Sequence, residues 1–285
     1  MKRTSLISEL REIIAMEKKR GRVIALVPTM GYLHRGHLSL IERAKQTGAF
    51  VVLSIFVNPL QFGPTEDFSR YPRDLERDAS LVKEAGVDAL FHPTVEEMYP
   101  RPMATYVEVS QLDTVLCGAK RPGHFRGVAT VVSKLLHIVQ PDSVFFGQKD
   151  YQQYLVIQRM VSDLNLQIEV YPVPIAREED GLALSSRNIF LTLEQRREAV
   201  VLSQSLNEAV VQMRAGERSA RELEKQVRDR ISRQSQGVID YVEVRDAGDL
   251  SEVIIIERPV VIALAVKFGA TRLIDNKVVE VEQNV

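Results

Sequence analysis

The architecture follows from one segment, Val23-Ile24-Ala25-Leu26-Val27-Pro28-Thr29-Met30-Gly31-Tyr32-Leu33-His34-Arg35-Gly36-His37-Leu38-Ser39-Leu40. Its first part is apolar and rich in β-branched residues, which is typical of a buried strand. Pro28 and Gly31 interrupt that strand, and a helical pattern of apolar residues starts near Gly36. The segment therefore predicts a strand, a tight turn and a helix N-terminus, in that order.

The predicted helix N-terminus is a candidate anion site. Its unpaired N–H groups and partial positive charge favour phosphate. His34 and His37 are three residues apart, which puts both imidazoles on one side of the first helical turn. There they can donate hydrogen bonds to phosphate oxygens that gain charge during phosphoryl chemistry. The alternative is a pair of surface histidines at a helix start, but the strand, the turn and the intervening glycine favour a functional pair.

Length and composition limit the class of protein. A chain of 285 residues allows one large domain or two, and its 45% apolar content is sufficient for a core. The formal charge of −1 provides no general attraction to nucleic acid or anionic membranes. Cys117 is the only cysteine, which excludes an intrachain disulfide and a cysteine metal cluster. Without a signal-like or membrane-length apolar run, the sequence predicts a soluble, cytoplasmic protein.

Strand and helix patterns alternate through the first 175 residues. Helices are expected over 5–21, 36–46, 74–84, 126–139 and 149–165, and strands over 23–27, 50–57, 89–91, 144–146 and 166–170. This alternation predicts right-handed crossovers and a Rossmann-like parallel sheet with helices on both faces. Ligands of such sheets bind beyond the carboxyl ends of the strands, where Thr29, Asn58 and Gly147 fall.

The pattern changes after Pro172-Val173-Pro174. Two charged helices are expected over 193–214 and 219–236, followed by strands over 239–244, 260–266 and 271–275. The chain is therefore divided into a nucleotide- and substrate-binding domain, residues 1–175, and a smaller α+β domain, residues 176–285. The two prolines stiffen the connection, and the second domain is expected to act as a lid.

Two loops carry polar groups suited to binding. Asn58 and Gln61 are neutral amides that can hold hydroxyl and carboxylate groups, although Asn-Pro is also an ordinary turn starter. The basic, glycine-rich segment 118–128 can close over phosphates, and its composition fits a solvated surface loop equally well.

Two further segments carry charge near predicted element ends. Lys149 at a helix start opposes the helix dipole, which is tolerable beside an anion, whereas Asp150 is explained equally well as a helix-start residue. Gln153 lies one turn further on and can face the same pocket. Ser185-Ser186-Arg187 forms a compact anion grip, with a loop and helix cap as the alternative.

These motifs together resemble one family. P-T-M-G-Y-L-H-R-G-H, residues 28–37, resembles the H-x-G-H signature of the nucleotidyltransferase superfamily and, in this extended form, the pantoate–β-alanine ligase (pantothenate synthetase) family. The segments V-N-P-L-Q-F (57–62), R-P-G-H-F-R-G-V (121–128), F-G-Q-K-D-Y-Q-Q (146–153) and D-G-L-A-L-S-S-R-N (180–188) are similar to motifs of the same family. The resemblance covers nearly the whole chain.

The resemblance implies a role for each matching residue. The expected ATP-binding residues are Met30, Gly31, His34, Gly36, His37, Gly147, Gln148, Lys149, Asp150, Ala176, Leu184, Ser185, Ser186 and Arg187. Asn58, Gln61 and Gln153 are expected to bind pantoate, and His34, His37, Lys149 and Arg187 to act in catalysis. The implied reaction condenses pantoate with β-alanine through a pantoyl adenylate, releasing AMP and pyrophosphate.

The resemblance also implies a homodimer, and Mg²⁺ that arrives with ATP rather than a protein metal site. His92, His124 and His137 receive no role, and His137 is expected to be a packed core residue. Three alternatives remain open. They are another H-x-G-H nucleotidyltransferase, a non-catalytic nucleotide-binding protein and, least favoured without a basic domain, a tRNA-binding synthetase.

Overall fold

The structure is a computed structural model that describes residues 1–64 and 66–281. The strands are β1 (Lys2–Thr4), β2 (Ile24–Thr29), β3 (Phe50–Ile55), β4 (Ala89–Phe91), β5 (Ser143–Gly147), β6 (Glu169–Val173), β7 (Val238–Asp246), β8 (Val260–Phe268) and β9 (Thr271–Val279). The α-helices are α1 (Ile7–Lys19), α2 (Arg35–Gln46), α3 (Leu75–Glu84), α4 (Val95–Met98), α5 (Leu116–Lys120), α6 (His124–Val139), α7 (Tyr151–Asp163), α8 (Leu193–Glu198), α9 (Val201–Arg214) and α10 (Ala220–Gln234). Single 3₁₀ turns occupy Pro59–Gln61, Gln148–Asp150 and Ser186–Phe190.

The first six strands form a parallel sheet in the order β1-β4-β3-β2-β5-β6. From β2 the chain moves outward through β3 and β4, and it then returns to the other side of β2 to form β5 and β6. The order of the strands therefore reverses between β2 and β5, and such a switch point opens a crevice at the carboxyl ends of the strands.

Both faces of this sheet are covered. Ile24 and Leu26 of β2 belong to one buried cluster, and Ala25 and Val27 belong to another on the opposite face. This explains why the sequence of β2 is uninterruptedly apolar rather than alternating. The predicted Rossmann-like class is confirmed.

The last three strands form an antiparallel sheet in the order β7-β8-β9. Val261 and Ala263 of β8 pack into the same core cluster as Leu26 of the first sheet. Val260 and Ile262 pack with α9 and α10 on the other face. The smaller α+β unit is therefore present and shares a core with the parallel sheet, while the division at residues 175 and 176 stays a prediction.

The edges of the first sheet differ from the sequence prediction. The last strand spans Glu169–Val173 instead of 166–170, and Pro172 lies within it, opposite Phe146. Proline is tolerated there because β6 is an edge strand, so the N–H that Pro172 lacks is not needed for pairing with a further strand. The strand β1 on the other edge was not predicted, since three residues carry too little pattern.

Three helix boundaries also differ. The first helix begins at Ile7 instead of residue 5, and its N-cap, Leu6, provides no side-chain hydrogen bond. The helix predicted over 149–165 begins at Tyr151, after the 3₁₀ turn that contains Lys149. The pattern over 193–214 is broken by a turn at 199–200 into α8 and α9.

Among the described residues, no helix is long and apolar enough to cross a membrane.

Candidate active site

The turn after β2 is held by a buried carboxylate. Gly31 has a φ of +83°, and a Cβ there would come within 2.9 Å of the Ile55 side chain, so glycine is required. Asp78, which is 1% exposed, accepts hydrogen bonds from the main-chain N–H groups of Tyr32 (2.6 Å) and Leu33 (2.8 Å). A side chain of α3 therefore fixes the backbone that leads to His34.

His34 and His37 form a reciprocal cap on α2. Nδ1 of His34 accepts from the N–H of Gly36 (3.1 Å), and Nδ1 of His37 accepts from the N–H of His34 (3.3 Å). Since each Nδ1 is an acceptor, each neutral ring carries its proton on Nε2. The ring centroids are 4.1 Å apart. The cap therefore fixes the tautomer of both rings and leaves two N–H donors for a ligand.

Both imidazoles are held in the neutral form. Burial, reinforced by the charge of Lys149, lowers the pKa of His34 to about 4. Burial also lowers the pKa of His37 well below its usual value, with additional contributions from His34 and Lys149. The site therefore offers imidazole N–H dipoles rather than imidazolium charges near neutral pH.

Gln61 and Asn58 occupy different positions in the site. Gln61 is 8% exposed, lines the cavity described below, and donates from Nε2 to the sulfur of Met30 (3.0 Å). Asn58 is 1% exposed and lines neither cavity, because its amide is bonded to Gln61, Gly127 and Tyr99. In this arrangement Asn58 contacts Gln61 rather than either cavity, and its direct contact with substrate stays a prediction.

The segment 118–128 borders the site through Arg121, His124 and Val128. Arg121 makes a two-pronged ion pair with Glu66 and also donates to the carbonyl of Gln61 (3.3 Å). His124 bonds the same carbonyl through Nδ1 (2.8 Å) and Arg121 through Nε2 (3.0 Å). Burial and the nearby Arg121 charge lower the pKa of His124 to about 4. This cluster ties the basic loop to the main chain at Gln61.

Lys149 lies in the 3₁₀ turn between β5 and α7. Its Nζ is 3.5 Å from the carbonyl of Leu184 and 3.9 Å from the Asp150 carboxylate. The carbonyls of Gln148 and Lys149 both accept from the side-chain amide of Asn276 (2.9 Å each). The turn that carries Lys149 is therefore bonded to β9 of the second sheet.

The segment Ser185–Arg187 reaches the same region from the second part of the chain. Ser186 donates from its hydroxyl to the carbonyl of Tyr32 (3.3 Å), which connects this segment to the turn after β2. Arg187 makes a bidentate ion pair with Asp67 (2.9 and 3.0 Å) and packs over the ring of Tyr71. The predicted anion grip thus already holds a carboxylate of its own chain.

Most of the predicted site residues meet in one cavity of about 220 Å³ at the switch point of the sheet. The predicted residues that line it are Met30, His34, Gly36, His37, Gln61, Gly147, Lys149, Asp150, Gln153, Ala176, Leu184, Ser185, Ser186 and Arg187. Gly31, Asn58 and Gln148 do not line it. Gly31 and Asn58 support it from behind, and Gln148 contributes a carbonyl to the Asn276 contact.

A larger cavity of about 790 Å³ adjoins the first, between the two sheets. The two cavities share Arg121, His124, Lys149, Asp150, Gln153, Ser185 and Arg187. Three of these seven side chains, those of Arg121, Lys149 and Arg187, are cationic, and that of Asp150 is anionic. The arrangement can therefore hold an extended anion that runs from the histidine pair towards the second sheet.

The structure places two of the remaining histidines. His124, to which no role was assigned, is half-buried at the junction of both cavities. The motif at 121–128 indicated its neighbourhood, but only the contact with the carbonyl of Gln61 shows its position. His137 is exposed rather than packed in the core, because it lies on the solvent side of α6, where its Nδ1 bonds the carbonyl of Ser133.

Residues 1–64 and 66–281 contain no group of three or more histidine, cysteine, aspartate or glutamate side chains placed to hold a metal ion. The carboxylate of Asp150 lines both cavities. A cation in this site would therefore take most of its ligands from phosphate and water, as Mg²⁺ does with nucleotides.

Comparisons with known proteins identify similar chains. Residues 2–278 match the family model described as pantoate-beta-alanine ligase. The chain is 65% identical over 274 residues to a pantothenate synthetase of Desulfitobacterium hafniense, covering 96% of this chain and 97% of that protein. It is 57% identical over 275 residues to a pantothenate synthetase of Acetivibrio thermocellus, covering 96% and 98%.

Solved structures agree with these sequence matches. The crystal structure of pantothenate synthetase from Thermus thermophilus superposes with a TM-score of 0.92 at 47% identity, covering 97% of this chain and 99% of that one. A pantoate-beta-alanine ligase from Francisella tularensis, complexed with beta-gamma ATP and beta-alanine, has a TM-score of 0.78 at 32% identity and covers 97% of each chain.

Proposed function

The chain belongs to the pantoate–β-alanine ligase family, whose members condense pantoate with β-alanine at the expense of ATP, and from this premise we propose how its residues divide that chemistry. The match over nearly the whole chain decides against the alternative nucleotidyltransferase, the non-catalytic nucleotide-binding protein and the tRNA-binding synthetase. The observation that carries the assignment of roles is the convergence of His34, His37, Lys149 and Gln61 on one cavity.

ATP is proposed to extend through both cavities. The smaller cavity, about 220 Å³, is below the roughly 300–1,000 Å³ typical of sites for ligands of this size. Ala176 and Leu184 line this cavity and are proposed to contact the adenosine end. The phosphates then run past Lys149 and Arg187, which line both cavities. The complex of the Francisella tularensis ligase with beta-gamma ATP supports nucleotide binding by this fold.

Pantoate is proposed to bind in the inner part of the smaller cavity. Gln61 and Gln153 are the neutral amides that line the cavity, and they suit a carboxylate and hydroxyls. Val128, Val131 and Val132 of α6 supply an apolar wall. Pantoate carries two methyl groups beside its polar groups, so this mixture of amides and valines fits its chemistry. The predicted role of Asn58 becomes the support of Gln61.

In the first proposed step, a carboxylate oxygen of pantoate attacks the α-phosphorus of ATP. The bond between the α-phosphorus and the bridging oxygen breaks, and pyrophosphate leaves with the bonding electrons. Negative charge builds up on phosphate oxygens, and the protein mainly positions the two substrates and neutralises this charge. The Nε2–H groups of His34 and His37 donate to these oxygens, and the Lys149 ammonium opposes their charge. Arg187 exchanges Asp67 for phosphate.

In the second proposed step, the amine of β-alanine attacks the carbonyl carbon of the pantoyl adenylate. The bond between that carbon and the phosphate oxygen breaks, AMP leaves, and the nitrogen loses a proton to give the amide. The larger cavity, which opens beside Lys149 and Gln153, is the proposed entry for β-alanine. The beta-alanine in the Francisella tularensis complex supports a place for this substrate. Exclusion of water by the second unit would protect the adenylate.

Mg²⁺ is proposed to accompany ATP. When bound, it would offset charge on the phosphates, and Asp150 is the carboxylate that borders both cavities. We also propose a homodimer and a cytoplasmic location. The buried Cys117 forms no disulfide, which fits a reducing compartment. Mass measurement in solution tests the dimer.

The reaction is tested by incubating the protein with ATP, Mg²⁺, pantoate and β-alanine and following AMP and the new amide. Omission of β-alanine should leave pantoate-dependent exchange of pyrophosphate into ATP, which reports the adenylate. Omission of pantoate should abolish both readouts. Omission of Mg²⁺ should lower the rates of pyrophosphate exchange and of amide formation, because the phosphate charge is then less well neutralised. Amide formation without pantoate-dependent pyrophosphate exchange would contradict the adenylate route.

A further inference from the structure

Two consecutive residues of β9 hold the two segments that carry the proposed nucleotide contacts. Asp275 and Asn276 are 2% and 4% exposed. Asp275 accepts a bidentate pair from Arg177 (2.7 and 2.9 Å), and Arg177 also donates to the carbonyl of Gly181 (3.0 Å). Asn276 bonds the turn that contains Lys149. One strand of the second sheet therefore connects the loop before Ser185 with the turn after β5.

The contact made by Asn276 uses both hydrogens of its amide. One goes to the carbonyl of Gln148 and the other to the carbonyl of Lys149, each at 2.9 Å. These carbonyls belong to the two peptide groups on either side of the Lys149 Cα. With both peptide planes held, the direction of the Cα–Cβ bond of Lys149 is determined.

The side chain of Lys149 has weaker restraints of its own. Its Nζ lies 3.5 Å from the Leu184 carbonyl, at the limit of a hydrogen bond, and 3.9 Å from the Asp150 carboxylate. The two hydrogen bonds to the backbone of the turn are shorter, at 2.9 Å each, and their donor, Asn276, is buried. The position of the ammonium therefore depends mainly on the turn, and the turn depends on Asn276.

We propose that Asn276 is a positioning residue for Lys149, so that the second sheet forms part of the nucleotide site as well as covering it. The inference rests on the proposed role of Lys149 in the first step. It also limits how the second unit can act as a lid, because any movement of β9 must either carry the Lys149 turn with it or break both bonds.

The test is a double-mutant cycle of Asn276→Leu and Lys149→Ala. Leucine is close to asparagine in shape and removes both donors. We expect Asn276→Leu alone to lower the kcat of pantoate-dependent pyrophosphate release about tenfold to a hundredfold, the range for a misplaced catalytic group. The KM for pantoate should stay within about twofold of the wild type. In the Lys149→Ala background, the same substitution should change the single-turnover rate less than about twofold.

Controls separate positioning from a general loss of structure. Lys277→Gln changes the next residue of β9 and should leave the rate unchanged, with thermal unfolding measured for all variants. If Asn276→Leu fails to fold, Asn276→Asp keeps the size and also removes the donors, and it should give at least as large a rate loss. An equal fall in rate in both backgrounds, or a wild-type rate for a folded Asn276 variant, overturns the inference.

The result also distinguishes the inference from the function on which it depends. If Lys149→Ala alone keeps the wild-type rate, the proposed role of Lys149 fails, and the positioning inference fails with it. If Lys149→Ala loses activity while Asn276→Leu does not, only the positioning inference fails.

Discussion

Asn58 donates a hydrogen bond from Nδ2 to Oε1 of Gln61, at 3.2 Å. The orientation of the Asn58 amide is fixed by the main chain, because the N–H of Leu60 must donate to Oδ1 and the carbonyl of Gly127 must accept from Nδ2. The hydroxyl of Tyr99 donates to the same Oδ1 (2.8 Å). The oxygen of Gln61 accepts this bond, and Nε2, which directs one hydrogen at the Met30 sulfur, has its second hydrogen available to a ligand. The chain of bonds sets Gln61 as a hydrogen-bond donor, which suits a carboxylate or hydroxyl oxygen of pantoate.

Reversing this polarity should weaken pantoate binding specifically. In Asn58→Asp, a carboxylate faces Oε1 of Gln61 and cannot donate to it, so the Gln61 amide must turn its oxygen towards the cavity or move away. We expect the KM for pantoate to rise at least about tenfold, since a hydrogen bond to a charged group contributes roughly 1.5–3 kcal/mol. The KM for ATP should change little. Initial rates at varied pantoate and at varied ATP measure the two effects.

A substitution at Tyr99, the last residue of this series of hydrogen bonds, should raise the KM for pantoate less than Asn58→Asp does. Tyr99→Phe removes one donor to Asn58 while the main-chain bonds remain, so the KM for pantoate should rise about twofold to tenfold. Tyr106→Phe is the matched control, because the Tyr106 hydroxyl bonds the carbonyl of Met103 instead. Equal effects of the two substitutions would show that Tyr99 has no specific influence on Gln61.

The parts of the site predicted from sequence are those whose determinants are local. The segment from Val23 to Leu40 contains its own strand, its turn glycine and its reciprocal histidine cap, so its structure follows from neighbouring residues. The fold class follows for the same reason, since continuous apolar strands alternating with amphipathic helices require a covered parallel sheet. The individual ATP and pantoate roles came from the family resemblance, and they stay predictions.

The parts that were missed depend on pairs distant in sequence. Arg187 is occupied by Asp67, 120 positions earlier, and no local pattern indicates that pairing. The contact of Asn276 with the Lys149 turn is equally remote, at 127 positions. The sequence places Pro172 in the connection between the two domains. A strand pattern alone does not distinguish an edge strand, which tolerates proline, from an inner strand, which does not.

Loss of one histidine donor should lower the rate strongly without unfolding the protein. His37→Ala removes the Nε2–H and also the acceptor for the His34 N–H. We expect kcat to fall roughly a hundredfold to a thousandfold, the usual effect of losing one donor to a charged transition state. The exposed His137 on α6 supplies the control, because His137→Ala should keep the wild-type rate. Near-normal turnover by a folded His37→Ala protein would contradict the assigned role.

The pH dependence of activity should lack a histidine inflection near neutrality. The pKa of His34 is lowered to about 4 and that of His37 well below its usual value, so His34 stays neutral from about pH 8 to pH 5 and neither ring titrates near pH 6.5. The kcat/KM for ATP should therefore show no break near pH 6.5, the ordinary histidine value. A break near pH 6.5 that disappears in a His34→Gln variant would show that this ring titrates in the working range.

The same shifts predict how stability varies with pH. Above about pH 6.5, His34 and His124 are neutral in both the folded and unfolded states and contribute no pH dependence. Between about pH 6.5 and the folded pKa values of about 4, the unfolded chain takes up protons that the folded chain does not. The free energy of unfolding should thus fall as the pH is lowered through this window, as measured by urea unfolding. His124→Asn should reduce the slope if it folds, and an unchanged slope would contradict the assigned burial.

Two backbone segments pack closely against each other at Gly127 of α6. A Cβ on this residue would lie 2.1 Å from the carbonyl oxygen of Leu60 and 2.7 Å from the nitrogen of Gln61, and these atoms are backbone and cannot turn away. Gly127→Ala must therefore push α6 away from the Pro59–Gln61 turn. We expect a loss of roughly 1–3 kcal/mol in the free energy of unfolding, as for other overpacked sites.

The same displacement should affect one substrate more than the other. Moving the turn shifts Gln61 and lengthens the bond from Asn58 Nδ2 to the Gly127 carbonyl, so the KM for pantoate should rise while the KM for ATP changes little. Gly63→Ala is the matched control, because among residues 1–64 and 66–281 its added Cβ would meet the Glu66 side chain at 3.7 Å, an ordinary contact distance. A local shift of Gln61 should change the KM for pantoate and not that for ATP. If Gly127→Ala raises both KM values equally, the close packing at Gly127 supports the whole fold rather than the placement of Gln61.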